Sequence, residues 1–444
     1  MSYDSGVTWV NIGETRKGDL YEYNSPACGA ITEYRWVDVP GAYTCEGTTK
    51  YKKTKKQYSE DGGQTWSDVS PAEYGKGQVL EYDSADCGGG GDYENKYLTF
   101  VALEDGTFRF KGRYENNIIS YSLDGGKSWS TLAYNTYSPT VAAGNKIMWK
   151  SNLIHNTGVG WFYSTGRFYV EGNIMSLLYG DNFEGQTSLA EKTGGFGGLF
   201  SSCTKLTSAE NLILPATTLV DDCYYQMFSE CASLTVAPKE LPATTLAKQC
   251  YTFMFMGCTS LTSAPELPAT TLAERCYWDM FAACENLKSA PELPATILAE
   301  SCYWGMFQLT NLTTAPELPA TTLANSCYGA MFYNCKGLTT PPELPATTLA
   351  STCYSGMFEG CTNLATAPEL PATTLAEYCY GNMFYGCTSL NYIKCLATDI
   401  SATDCTGDWL RNTSATGTFV KAASMNDWTT GNNGIPTNWT VQNA

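Results

Sequence analysis

Nineteen cysteines and one histidine, His155, bound the chemistry that this 444-residue chain could perform. Most of the cysteines fall in two columns of a repeat and stand eight residues apart, as in Cys250 and Cys258 or Cys276 and Cys284. Such residues could form disulfides, bind zinc or act as nucleophiles. The C-x7-C spacing matches no common zinc motif, and a single histidine nearly excludes histidine triads and histidine metal sites. We therefore predict no catalytic residue, no metal site and no cofactor.

The main enzymatic alternative is a glycosidase, which needs two carboxyl groups about 5 to 10 Å apart. The chain has a net charge of −17, but its acidic residues form no recognisable constellation, and the recurring Pro-Glu-Leu is better explained as a turn. The negative charge argues against nucleic-acid and anionic-membrane partners. No apolar run approaches the roughly 18 residues that span a bilayer, so we predict no membrane insertion. We predict a protein that is not an enzyme.

The string LPATT marks a long internal repeat. Its copies begin at Leu214, Leu241, Leu267, Leu318, Leu344 and Leu370, and LPATI begins at Leu293. A sortase signal would need a glycine after the threonine, so the string indicates a structural period. Repeats of about 20 to 29 residues with leading leucines predict a leucine-rich-repeat solenoid.

Within one unit, apolar residues recur in pairs every four residues, close to the stripe of an amphipathic helix. They are Leu272, Ala273, Cys276, Tyr277, Met280, Phe281 and Cys284. We predict a helix here with Thr270 or Thr271 as its N-cap, after a short extended segment with two prolines at 261–268. The predicted fold is mixed and multidomain, with β-rich N-terminal modules, an α/β leucine-rich-repeat solenoid and a C-terminal cap.

This helical geometry also bears on the cysteines. Residues eight apart on a helix are separated by about 12 Å, and neighbouring helices lie about 8–10 Å apart, whereas a disulfide needs Cα atoms within about 7 Å. We therefore predict that the cysteines of the repeat are buried free thiols. If the segment is extended, neighbouring units come within about 4.8 Å and this argument weakens.

The repeat units, such as CYWDMFAACENLKSAPELPATILA, resemble BspA-type leucine-rich repeats of surface and virion proteins from gut Bacteroidales and their phages. Residues 416–441 resemble the tail that closes such arrays, and 121–183 resemble the domain that usually precedes them. The resemblance implies adhesion, because known relatives mostly adhere to other molecules or cells.

Three stretches fit the Asp-box pattern S-x-D-x-G-x-[ST]-W: SYDSGVTW at 2–9, SEDGGQTW at 59–66 and SLDGGKSW at 122–129. They resemble the Asp boxes of sialidase propellers, but three hairpins cannot build a six-bladed propeller. We predict β-hairpin turns in which glycine takes a positive φ, aspartate accepts from turn amides and tryptophan covers the hairpin base.

The first two Asp boxes belong to a longer repeat, because YEYNSPACG at 21–29 matches LEYDSADCG at 80–88. The first copy lacks its upstream half. We expect that the chain is the C-terminal part of a longer protein or that another subunit supplies the missing strand. Cys45 and Cys87 could pair, which would leave Cys28 alone. The predicted domains are two Asp-box modules (1–29, partial, and 30–91), a β domain that caps the solenoid (92–180), the solenoid (181–395) and a C-terminal cap (396–444).

The candidate ligand-binding residues are Tyr225, Phe253, Trp278 and Trp304. They lie in two positions that vary between otherwise constant units, directly after the Cys-Tyr pair, so we expect them to face solvent. Exposed rings could stack on sugars or anchor a protein partner. Two alternatives stay open: the rings could simply cover each other, or a ligand could bind the concave face.

These observations predict a non-enzymatic extracellular recognition protein, a phage tail-fibre or receptor-binding component that attaches to a bacterial surface glycan or protein. The stretch MSYDSGVTWV shows no secretory signal, which favours the virion over the cell surface. The alternatives are a bacterial surface adhesin that binds mucin or host matrix, and a purely structural virion protein. The expected partners are a cell-surface glycan or protein receptor and other virion or surface-protein subunits, with a homo-oligomer possible.

Overall fold

The structure is a computed structural model. It describes the backbone of five strands in the N-terminal region and then residues 96–444, apart from 116, 152–159, 191, 193 and 194. The chain divides into two compact units, Met1–Asp92 and Tyr93–Ala444. The five domains proposed from the sequence stay predictions.

The first unit contains an antiparallel sheet. Its strands are β1 (Glu22–Asn24), β2 (Thr32–Glu46), β3 (Thr49–Ser59), β4 (Ser67–Asp68) and β5 (Tyr74–Glu81). They pair in the order β1-β2-β3-β4, and β5 also pairs with β3. The first Asp box, nearly all of the second, and the side chains of Cys28, Cys45 and Cys87 lie outside the described residues.

The second unit begins with a β domain whose strands surround an aromatic core. The strands are β6 (Leu98–Ala102), β7 (Phe108–Gly112), β8 (Ile119–Ser122), β9 (Ser130–Leu132), β10 (Lys146–Lys150), β11 (Gly160–Ser164), β12 (Phe168–Asn173) and β13 (Asn211–Ile213). Six of them form a sheet in the order β13-β12-β6-β10-β8-β9, and β11 pairs with β7. The ring of Phe100 lies 4.7 Å from that of Phe162 and 5.5 Å from that of Trp149, and all three side chains are fully buried.

The third Asp box forms the turn between β8 and β9, so the hairpin prediction is confirmed for this copy. The Asp124 carboxylate accepts hydrogen bonds from the Ser122 hydroxyl at 2.8 Å and from the Ser128 amide at 2.9 Å. The Ser128 hydroxyl also donates to this carboxylate, at 2.6 Å, and together these donors, above all that hydroxyl, hold the pKa of Asp124 far below its ordinary value. The Trp129 indole N–H donates to the Gly126 carbonyl oxygen at 3.1 Å, and the φ of Gly126 is +86°.

The α/β leucine-rich-repeat solenoid predicted from the sequence is wrong. The described residues contain one short α-helix, α1 (Ser176–Tyr179), followed by a 3-10 turn at Gly180–Asn182, and both precede the LPATT repeats. The chain is β-rich, and the segment 272–284, for which we predicted a helix, is a run of turns. Thr271, a predicted N-cap, instead forms parallel bridges with the threonine and isoleucine at the same position in the adjacent units.

The turn segment, defined here as residues 275–284 and their equivalents in the other units, alternates two kinds of backbone hydrogen bond. The N–H groups of Tyr277 and Asp279 donate to carbonyl oxygens of the next unit at 3.0 and 2.8 Å. The N–H groups that alternate with these donate three residues back, as Trp278 does to Arg275 and Met280 does to Tyr277. The φ angle is positive at every fourth residue, +55° at Arg275 and +50° at Asp279. Each turn segment is therefore a chain of tight turns bonded to the next unit.

This geometry places two side chains inward and the next two outward, so it repeats every four residues. An α-helix repeats every 3.6 residues, and over one turn segment both periods place the same side chains on the buried face. The pattern of apolar residues is therefore compatible with both structures. The helix prediction failed because every second N–H group finds its acceptor in the next unit, about 25 residues away in the sequence.

The inward side chains form continuous columns through the repeats. The rings of Tyr251, Tyr277 and Tyr303 stack with centroids 5.7 Å apart, and the ring of Phe281 lies 5.5 Å from that of Phe255. All of these rings are buried. Each unit thus covers the aromatic core of its neighbour, and burial of apolar surface between units stabilises the stack.

The cysteines from Cys203 to Cys405 are free and buried, so the prediction of buried free thiols is confirmed for the described residues. The helical geometry that supported it is wrong. In the second column the thiol donates to a carbonyl oxygen of the preceding unit, as Cys258 does to Phe228 at 3.0 Å. In the short unit Thr310 takes this position, and its hydroxyl is also hydrogen-bonded.

A three-stranded parallel sheet closes the stack. Its strands are β14 (Tyr392–Cys395), β15 (Gly417–Lys421) and β16 (Trp439–Asn443). The ring of Trp409 continues the tyrosine column, 6.1 Å from Tyr380, and stacks on Trp428 at 5.4 Å. These indoles cover the last unit.

Candidate functional site

The four predicted ligand-binding residues form two pairs of rings on the outward side of the turn segments, here called the turn face. Tyr225 and Phe253 meet edge to face with centroids 5.7 Å apart. Trp278 and Trp304 lie 6.0 Å apart with a 40° angle between their planes. All four side chains are half-buried. The backbone N–H of Phe253 donates to the Trp278 carbonyl oxygen at 2.9 Å. The four rings therefore lie in four successive units. We call these four residues the aromatic patch.

The orientation of the Trp278 ring is fixed by its neighbours. Its indole N–H donates to Asp279 Oδ2 at 2.8 Å, and the Arg275 guanidinium lies 4.7 Å from the ring centroid. A cation over an indole face attracts the ring electrostatically. With the N–H group already bonded, Trp278 offers a ligand mainly its carbon surface.

Asp279 connects two units of the aromatic patch. Its side chain accepts hydrogen bonds from Trp278 and, at 2.6 Å, from the Gln308 amide of the next unit. The residue is only 9% exposed, and burial raises the pKa of its carboxyl group although the two hydrogen bonds oppose that rise. A Cβ atom at Gly305 would lie 1.9 Å from Asp279 Oδ1, so the carboxylate occupies the space that this glycine leaves.

Trp304 rests on a glycine of the following unit. A Cβ atom at Gly329 would lie 2.2 Å from two carbon atoms of the Trp304 ring. At the same position two units later, a Cβ at Gly381 would make only ordinary contacts, the nearest at 3.4 Å. The glycine at 329 therefore lets the Trp304 ring lie flat against the backbone.

Charged side chains border the aromatic patch. The Lys248 ammonium group lies 2.8 Å from the Glu274 carboxylate, and Arg275 Nε lies 3.8 Å from it. The hydrogen bond from Lys248 lowers the pKa of Glu274. Because these groups are exposed, their ion pairs add little stability. Beside Trp278 there is therefore one positive charge, on Arg275, and one negative charge, on Glu274, that Lys248 compensates.

Sequence reasoning identified the four rings but not the residues that hold them. Arg275, Gln308 and Gly329 were not assigned a role. One signal was available in the sequence. Gly329 occupies the position of Trp304 in the next unit, and a ring can lie over a residue that has no side chain. The contacts among the rings agree with both earlier interpretations, a binding surface and mutual cover, so the site stays a prediction.

Among the described residues, no group of three histidine, cysteine, aspartate or glutamate side chains is placed to hold a metal ion. No helix there is both long enough and apolar enough to cross a bilayer.

Comparisons of the chain with protein-family models, with curated proteins and with solved structures found no match. The resemblance of the repeats to BspA-type sequences therefore stays an expectation drawn from the motifs.

Proposed function

We propose that this is a non-enzymatic recognition protein whose aromatic patch binds a saccharide on a cell surface. The observation that carries the proposal is the state of Trp278. Its ring is held by Asp279 and Arg275 yet remains partly exposed, next to a second tryptophan. Rings fixed before binding lose little conformational entropy when a ligand stacks on them. Tryptophan is also enriched among the residues that dominate binding energies.

The spacing of the rings favours an extended ligand. Successive units of the stack lie 5.7 Å apart at their buried tyrosines, a distance close to the length of one pyranose residue. A chain of sugars running along the stack would meet a ring surface at successive steps from Tyr225 to Trp304. A protein loop would need no such regularity, so the glycan is the preferred receptor.

The biological setting that we propose is a phage virion component that attaches to a bacterial surface, as the BspA-type resemblance implies. A bacterial adhesin that binds mucin or host matrix would use the same patch. A purely structural virion protein would not need it.

The first test is binding of labelled protein to Bacteroidales cells with different capsules, beside wells coated with mucin or matrix protein. We expect capsule-dependent binding. Replacing Trp278 and Trp304 together with alanine should weaken it by about 2 kcal/mol or more, roughly 30-fold, which is the size typical of a central binding residue. Binding restricted to mucin or matrix would support the adhesin instead.

Gly329→Ala provides a subtler variant and Gly381→Ala its matched control. Both add one methyl group at the same position of the repeat, but only Gly329→Ala displaces the Trp304 ring. We expect weaker binding for the first variant and unchanged binding for the second. Equal binding by wild type, Gly329→Ala and the double tryptophan variant, all folded, would refute the proposed role of the aromatic patch.

A further inference from the structure

Strand β7 carries a row of basic side chains on its outer face. Phe108 and Phe110 are buried in the core, and Arg109 and Lys111 lie on the opposite, half-exposed side. Arg113 follows two residues later and is exposed. Alternate residues on a strand stand about 7 Å apart, so Arg109 and Lys111 are widely spaced, and Arg113 lies in the bend that follows β7.

Aromatic rings flank these cations across the neighbouring strand. Trp161 pairs with Lys111, and Tyr163 pairs with Arg109 in the register of β11 and β7. The Arg109 guanidinium lies 4.3 Å from the Tyr163 ring and 5.3 Å from the Tyr137 ring. Tyr137 is 49% exposed. Arg109 and Lys111 therefore each have an aromatic neighbour on the adjacent strand.

We call this surface the basic strip. It consists of Arg109, Lys111, Arg113, Tyr137, Trp161 and Tyr163. Among the described residues, none of its three cations forms an ion pair, whereas Arg167 in the same β domain pairs with Glu104 at 2.6 Å. Rings, not acceptors, hold the guanidinium of Arg109, whose Nε atom has no hydrogen-bond partner there. Three uncompensated cations in a chain of net charge −17 form a local exception to its overall charge.

We propose that the basic strip binds anionic saccharides, polymers whose sugars carry carboxylate or sulfate groups. Arginine and lysine donate charge-assisted hydrogen bonds to such groups, and the rings can pack on the sugar faces between them. The wide spacing of the cations suits a chain with about one anion per sugar. Nucleic acid carries its charges more densely than such a polymer does, which fits the wide spacing of these cations less well. This binding surface is separate from the aromatic patch and does not depend on the function proposed for it.

The test measures binding of the full chain to polygalacturonate and to chondroitin sulfate by calorimetry at low salt. Fully methyl-esterified polygalacturonate is the neutral control for the same backbone. The variant Lys111→Gln with Arg113→Gln removes two cations of the strip, and Lys288→Gln with Lys336→Gln removes two exposed lysines elsewhere. The strip variant should bind the anionic polymers about tenfold or more weakly, because each lost charge-assisted hydrogen bond is costly.

We expect the Lys288 and Lys336 control to match wild type and the methyl ester to bind weakly to all forms. Trp278→Ala with Trp304→Ala should leave binding of the anionic polymers unchanged, which separates this proposal from that for the aromatic patch. Equal affinity for acid and ester, equal loss in both charge variants, or no binding to either anionic polymer would overturn the proposal. Tighter binding of a single-stranded oligonucleotide through Lys111 and Arg113 would also overturn it.

Discussion

The repeat stack has two halves that share a core and differ on the turn face. In the half that contains Trp278, the inward residues Tyr277 and Phe281 are at most 2% exposed, and Tyr354 and Phe358 are equally buried in the other half. The columns of cysteine, tyrosine, methionine and phenylalanine run through both. The core therefore reflects the demands of stacking alone.

The turn face shows the opposite behaviour. Where one unit presents Trp278 and Asp279, a later unit presents Ser355 and Gly356 at the same positions. At these two positions only the first half carries rings, and Trp278 is held by a hydrogen bond while Trp304 lies against a glycine of the next unit. Because the backbone is common to both halves, the rings are not needed to build the fold. The difference directs the search for function to the first half.

The largest expected effect tests whether the core is equivalent in both halves. Phe281→Ala and Phe358→Ala each remove a fully buried ring that stacks on two neighbours. Each should lower the free energy of unfolding by about 3–5 kcal/mol, measured by denaturant titration. A clearly smaller loss in either half would mean that the two cores are not alike.

A smaller effect separates Cys258 from Cys250, which lie in different columns of the repeat. The Cys258 thiol donates to a carbonyl oxygen, so Cys258→Ser keeps a donor at that position, much as Thr310 does in the short unit. Cys250 has no such bond among the described residues, and Cys250→Ser would bury an unpaired hydroxyl at a cost of about 1–3 kcal/mol. Unfolding curves of the two variants should differ in this order, and the reverse order would contradict the assignment of hydrogen bonds.

Substitutions on the turn face should lower the free energy of unfolding less than substitutions in the core. Gly329→Ala forces the Trp304 ring away from the backbone, which we expect to cost about 1 kcal/mol because the half-exposed ring can move outward. Gly381→Ala in the other half should change stability by less than about 0.5 kcal/mol. Tryptophan fluorescence should shift for the first variant only, and a shift in both would indicate a general effect of the added methyl group.

The smallest effect is a pH dependence at Asp279. Burial raises the pKa of Asp279 above its ordinary value of 3.8, so the folded chain holds this proton more firmly than the unfolded chain does. Its contribution to stability is therefore present at low pH and is lost as pH rises through the folded pKa. The corresponding residue Asn382 has no charge.

The measurement compares the unfolding free energies of wild type and Asp279→Asn at a series of pH values. Wild type should gain stability relative to the variant as pH falls from about 7 towards about 4. A difference that does not change with pH would show that the Asp279 carboxyl group titrates alike in the folded and unfolded chains.

Part of the candidate site was accessible from the sequence. Variation between units marked the columns of Trp278 and Phe253, because a constant core leaves variable positions on the surface. The hydrogen bond from Gln308 to Asp279 and the contact of Trp304 with Gly329 were not accessible. Both join residues of different units, and their existence depends on the distance between units.

The sequence by itself determined the repeat length, the buried columns and the turn of the third Asp box. These follow from local composition and from apolar residues that recur at fixed intervals. The backbone of the repeats was decided only by the tertiary structure. A period of four and a period of 3.6 bury the same residues over so short a segment, and the choice between them depends on hydrogen bonds to the next unit. Those bonds form only when the units stack, so no single repeat could specify its own conformation.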